Sequence, residues 1–169
     1  FVEHEYKNKI INSFLENGFS LIKTPLIEFS KNLDRNTLKI KTNKKKDKLS
    51  IRNDITPQII RIASSRLAKK TRPLKLCYYG EVVRNTGSIL RPERQFQQVG
   101  AEIIGSESYN ADVEIINLAY ETLKNIGVKN IVIEIAAPFF LESILKKIKN
   151  RKTKVNIIQF IKLKDIKNC

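Results

Sequence analysis

The chain has 169 residues, 41% of them apolar, and a formal net charge of +15 from 32 Lys+Arg against 17 Asp+Glu. That length suffices for one domain with a real core. No apolar run reaches the roughly 18–20 residues that cross a bilayer, and no signal-peptide pattern opens the chain. Two cysteines, one histidine and no CxxC leave no basis for a disulfide framework or a zinc site. A cytoplasmic location is therefore expected. Phe1 is not an initiator Met, and the final IKLKDIKNC closes no obvious element, so a fragment is expected.

Residues 3–17 carry Tyr6, Ile10, Ile11, Phe14 and Leu15 at helical spacing, and Gly18 follows as a stop. FSLIKTPLIEF reads as extended chain that bends or lies at an edge, because Pro25 cannot donate to a ladder. Thr37 to Lys41 and Leu49 to Arg52 predict a hairpin around a basic loop at about 41–48. Thr56 and Pro57 open a helix predicted to reach about Ala68, with Thr56 as its cap. Residues 74–84 and 93–104 predict two strands paired antiparallel. Ser108 or Asn110 caps a helix to about Asn125, ended by Gly127. Asn130 to Ala136 predicts a strand and Phe139 to Ile148 a helix; the tail at 150–169 is ambiguous. The order predicts a single α+β domain, an antiparallel sheet with helices on one side. Cys77 falls in an apolar strand as a small core residue, and His4 falls on the surface of the first helix.

The excess of basic charge admits nucleic-acid binding. It is scattered, however, over Lys44 to Lys46, over Lys69, Lys70 and Arg72, and over Lys146 to Lys154. A Lys-, Ile- and Asn-rich composition of the kind an AT-rich genome favours produces the same excess.

The segment Arg84 to Glu102, RNTGSILRPERQFQQVGAE, carries more chemical information. Arg94, Phe96, Gln98, Gly100 and Glu102 alternate along a strand and so share one face. Arg, Gln and Glu beside a Gly suggest the floor of a polar pocket, with Gly100 leaving room for a ligand. If that strand is central, Gln98 and Glu102 need partners, which a ligand would provide; if it is an edge strand, water suffices. Asp54 and Thr56 stand before a helix, where capping alone accounts for them; in the alternative, Asp54 faces the pocket. Two acids, Asp54 and Glu102, suit an ammonium, and the guanidinium of Arg84 suits a carboxylate. Gln98 offers a donor and an acceptor. Arg91 and Arg94 add possible anion contacts, or form a solvated basic loop. The set fits an amino-acid ligand, with no nucleophile–base pair, metal cluster or Walker-type loop, and no cofactor is expected.

The runs IRNDITPQIIRIASSRL, RPLKLCYYGEVVR, LRPERQFQQVGAEIIG and ADVEIINLAYETL resemble the ATP phosphoribosyltransferase regulatory subunit, a non-catalytic paralogue of histidyl-tRNA synthetase. GFSLIKTPLIEF resembles class II synthetase motif 1. The resemblance implies a class II aminoacyl-tRNA synthetase-like antiparallel sheet flanked by helices, truncated on its C-terminal side. It implies a histidine-like ligand at Asp54, Thr56, Arg84, Gln98 and Glu102. It also implies assembly with the short-form catalytic subunit in the first step of histidine synthesis, histidine as effector, and a homodimer through the motif 1-like segment. The alternative is a fragment of a histidyl-tRNA synthetase catalytic core. Against that alternative, Thr86 stands where motif 2 of the synthetase has Glu, and Asp54 is one methylene shorter than the family Glu. No motif 3 or anticodon-binding segment is recognisable.

Overall fold

The structure, a computed structural model, describes residues 2–29, 37–41, 48–84, 92–135 and 138–163. The chain divides into two compact units, Phe1–Ile131 and Val132–Cys169.

In the first unit, α1 (Val2–Glu16) leads into β1 (Ser20–Leu21) and β2 (Ile27–Phe29). β3 (Leu38–Ile40), β4 (Leu49–Ile51) and α2 (Thr56–Ser64) follow. β5 (Leu74–Val83), β6 (Gln95–Ile104) and α3 (Tyr109–Asn125) complete it. Gly18 and Gly127, at φ 80° and 92°, let the chain turn out of α1 and α3 through the left-handed region. Ser108 caps α3 by accepting from the Asn110 N–H at 3.2 Å. β5 and β6 pair antiparallel along their length, from Leu74 opposite Ile104 to Val83 opposite Gln95. β1 adds to the other edge of β5 in parallel. A smaller antiparallel sheet has the order β2-β4-β3, so the predicted hairpin forms.

Strand alternation distributes the core. Leu76, Tyr78 and Val82 of β5 pack with Ile55, Ile59 and Ala63 at α2, joined by Phe96 and Ile104 of β6. The opposite face presents Cys77, Val99, Ala101 and Ile103 to Ile11 and Phe14 of α1 and to Leu118 of α3. The sheet thus carries helices on both faces, which corrects the expectation of one. Helical periodicity marks an apolar stripe but not which face of a sheet receives it. Cys77 is fully buried, as expected, and burial pushes its thiol up. His4 is exposed, beside Lys7. In α1 the buried stripe centres on Ile11 and Phe14, while Tyr6 and Leu15 stay 43% exposed.

α2 is a turn shorter than predicted. The Ser64 and Ser65 hydroxyls both donate to the Arg61 carbonyl, at 3.1 and 2.6 Å. Such local bonds compete with the helical ladder and end the helix.

The second unit contains α4 (Pro138–Lys147) and α5 (Arg151–Leu163), so the ambiguous tail is helical through Leu163. Asn150 caps α5, its Oδ1 accepting from the Lys152 and Thr153 N–H groups at 2.8 and 3.3 Å. The strand predicted from Asn130 does not form over 130–135, and Ala136 lies outside the described residues. Val132 and Ile135 are 88% and 70% exposed there. Apolar alternation makes a strand only where a neighbouring edge supplies its hydrogen bonds. Among the described residues, no helix is long and apolar enough to cross a membrane.

Candidate functional site

The entry to α2 lies against the face of β6 that carries Gln98, Gly100 and Glu102. Gln98 closes the first contact: its Oε1 accepts from the Ile55 N–H at 3.0 Å, and its Nε2 donates to Asp54 Oδ1 at 2.8 Å. The same Oδ1 accepts from the Thr56 N–H at 3.1 Å. Ile55 is the N-cap residue of α2 and provides no side-chain cap, so Asp54 and Gln98 do that work between them. Thr56, expected as the cap, is instead the first helical residue, and its hydroxyl is left for other partners.

One β-strand step beyond Gly100, Glu102 Oε1 accepts from the Thr56 hydroxyl at 3.0 Å and from the Tyr78 hydroxyl at 3.3 Å. The Thr56 and Tyr78 oxygens lie 2.8 Å apart. Asp54, Thr56, Gln98 and Glu102 thereby form one hydrogen-bonded network, with Tyr78 as its fifth member. Gln98 and Glu102 are only half-buried, on a strand at the edge of the described sheet, and they find these partners within the chain itself. Among the described residues, Asp54 Oδ2 and Glu102 Oε2 accept no hydrogen bond, which leaves two carboxylate oxygens for a cation. Gln98, by contrast, has both ends of its amide engaged within the chain, Oε1 by Ile55 and Nε2 by Asp54, so it positions Asp54 and α2.

Gly100 has a different role from the expected one. Tyr78 lies directly opposite it, and a Cβ on Gly100 would stand 2.3 Å from the Tyr78 hydroxyl. The vacancy is filled by the phenol ring, not reserved for a ligand. Gly100→Ala must push the ring aside and open the triangle with Thr56 and Glu102. Overpacking of this kind costs about 1–3 kcal/mol, to be read from the urea midpoint of the variant.

Burial pushes the Tyr78 hydroxyl up to about 12; the Thr56 hydrogen bond opposes this shift and the charges of Glu102 and Asp54 add to it. The folded chain therefore holds this proton more tightly than the unfolded chain, where tyrosine titrates near about 10. The stabilisation is intact below about pH 10 and is lost as pH rises towards about 12, in all about 2–3 kcal/mol. Alkaline unfolding should be less steep over that window in Tyr78→Phe than in the parent.

Arg84 stands outside the network. Its guanidinium carbon lies 4.7 Å from the centre of the Phe96 ring, and its backbone N–H donates to the Arg94 carbonyl at 2.8 Å. Phe96 shares a face with Gln98, so Arg84 is held beside the polar strip in a cation–π contact. Arg94 precedes β6 and is exposed, not part of the strand face. Arg91 and Thr86, and most of the basic loop at 41–48, lie outside the described residues.

The sequence does not single out Tyr78 or Arg52. Tyr78 was legible only through register, as the residue that a paired strand sets opposite Gly100. Arg52 is 3% exposed, and a Cβ on Gly80 would stand 2.1 Å from its Nη2. Burial lowers the Arg52 pKa, while Glu28 and Glu81 oppose that shift.

A strand-borne polar network fed by a helix entrance, on a sheet covered by helices on both faces, is the core of a class II synthetase-like domain. Residues 2–169 match the family model described as histidyl-tRNA synthetase, and the chain belongs to that family. The ATP phosphoribosyltransferase regulatory subunit of Paramagnetospirillum magneticum is 35% identical over 145 residues, which are 81% of this chain and 38% of that protein. The protein of the same name from Chromobacterium violaceum is 39% identical over 137 residues, covering 76% and 36%. An ATP phosphoribosyltransferase regulatory subunit/histidyl-tRNA synthetase from Bacillus halodurans C superposes with a TM-score of 0.78 at 26% identity, over 96% of this chain and 45% of that one. Histidyl-tRNA synthetase from Nostoc sp. PCC 7120 shares the fold, with a TM-score of 0.77 at 18% identity over 97% and 40%. The chain spans about four-tenths of the length of these two curated relatives.

Proposed function

We propose that the chain serves as a non-catalytic regulatory subunit of ATP phosphoribosyltransferase. It would associate with the short-form catalytic subunit in the cytoplasm, sustain the first step of histidine synthesis and take histidine as effector. The observation that carries the ligand half is the pair of half-committed carboxylates, Asp54 and Glu102. Each is fixed through one oxygen and keeps the other for an ammonium. Arg84, held on Phe96, is the group for the ligand carboxylate.

The names of the relatives support the regulatory reading, and Thr86 in place of the motif 2 Glu argues against adenylation. The motif 1-like Gly18–Phe29 segment is the proposed homodimer contact; within it Leu26, Ile27 and Phe29 are 37%, 48% and 52% exposed. Histidine regulates only if it binds one assembly state better than another.

The test is co-purification with the short catalytic subunit, followed by histidine inhibition of the complex. A stable, histidine-sensitive complex is expected. Histidine-dependent ATP–pyrophosphate exchange by the protein would overturn the reading in favour of a histidyl-tRNA synthetase core.

A further inference from the structure

We propose that Arg52 and Gln58 are positioning residues that couple occupancy of the Asp54–Glu102 site to the Thr24–Leu26 segment. The proposal rests on the reading of that site as an amino-acid site, and it names how occupancy would be reported.

The geometry is a clamp around the site residues. Arg52 lies two positions before Asp54, and Gln58 lies two positions after Thr56. Both side chains are buried, at 3% and 0% exposure. β1 keeps its pairing with β5 only as far as Leu21, with one more bond from the Ile22 N–H to the Cys77 carbonyl at 2.8 Å. Beyond it the chain leaves the sheet, and the Thr24 and Pro25 carbonyls have no strand to bond. Arg52 Nη1 donates to the Thr24 carbonyl at 3.0 Å, to the Thr24 hydroxyl at 2.6 Å and to the Pro25 carbonyl at 3.3 Å. Gln58 Nε2 donates to the Pro25 carbonyl at 2.9 Å, while its Oε1 accepts from Arg52 Nη1 at 3.2 Å.

The Arg52 backbone joins the two sheets as well. Its N–H donates to the Leu26 carbonyl at 3.0 Å, and its carbonyl accepts from the Val83 N–H at 2.9 Å. The segment at 24–26 is therefore fastened by the residues that bracket Asp54 and Thr56. A ligand that fixes Asp54 and Thr56 stiffens the first turn of α2. That reduces local opening of whatever this turn fastens. Thr24–Leu26 leads directly into β2, so the effect arrives at an exposed apolar strand.

Amide hydrogen exchange on the full chain, with and without saturating histidine, tests the coupling. In the parent chain, histidine should slow exchange at Lys23, Thr24 and Leu26 by about fivefold or more, the lower end of ordinary coupling between sites. Gln58→Met keeps volume and helix propensity but removes both side-chain bonds. It should still bind histidine and still show protection at 98–102, with the protection at 23–26 gone. Should Gln58→Met fail to fold, Thr24→Val removes the 2.6 Å bond alone and should weaken the same protection. Histidine binding without protection at 23–26 in the parent overturns the coupling, as does undiminished protection in the variants. No histidine binding by the parent removes the amino-acid reading itself, and the coupling with it.

Discussion

Arg52→Leu should destabilise the first unit by upward of about 3 kcal/mol, which lowers Tm by roughly 6–12 °C for a chain of this size. The guanidinium makes five hydrogen bonds to otherwise inward-facing oxygens: the Glu81, Thr24 and Pro25 carbonyls, the Thr24 hydroxyl and Gln58 Oε1. Leucine removes all five of these bonds; the Pro25 carbonyl keeps the Gln58 Nε2 donor, but each buried acceptor left without a partner costs about 1–3 kcal/mol. Part of that cost is offset, because a charge no longer has to be buried. The Nε bond to the Glu81 carbonyl, at 2.7 Å, is lost with the guanidinium. Arg52→Lys should recover part of the loss, since an ammonium keeps the charge but lacks the fork. Thermal unfolding followed by circular dichroism measures both. A Tm within about 2 °C of the parent in Arg52→Leu would mean that water replaces the guanidinium, and that the joint between the sheets is not held by it.

Glu102→Gln should weaken histidine binding roughly tenfold to a hundredfold while leaving stability and assembly nearly unchanged. Gln can still accept from the Thr56 hydroxyl through its Oε1, so the internal network survives. The other terminal atom becomes an N–H₂ group, which confronts the ligand ammonium with donors. A charge-assisted hydrogen bond is lost, and such bonds are worth about 1.5–3 kcal/mol. Calorimetric titration reads the loss directly. If the mutant complex kept the inhibition of the parent, the effector would bind elsewhere, most directly at the subunit interface.

How much of this was legible depends on what each signal encodes. Elements with local signals emerged: the stripe around Ile11 and Phe14 with its Gly18 stop, the antiparallel pairing of β3 with β4, the Ser108 cap and the long pair of β5 and β6. The alternation of Gln98 and Glu102 placed both on one face, because a strand has only two. What escaped depends on partners distant in sequence. Gly100 needed the register that sets Tyr78 against it. Gln98 needed the position of Ile55, 43 residues away, to reveal that its acceptor is engaged. Arg52 reads as one more surface cation in a chain with 32 Lys+Arg, and only the sheet geometry makes it a buried joint. The run from Asn130 has the composition of a strand, but composition does not supply the neighbour that a strand requires.

A crystal structure of the protein with histidine is the most direct test of the site. The ligand ammonium should lie within about 2.7–3.2 Å of Asp54 Oδ2 and Glu102 Oε2. Its carboxylate should be turned towards Arg84, and the contacts among Asp54, Gln98, Thr56 and Tyr78 should be preserved. Histidine bound at any other surface, with both carboxylates touching only their own chain, would contradict the account.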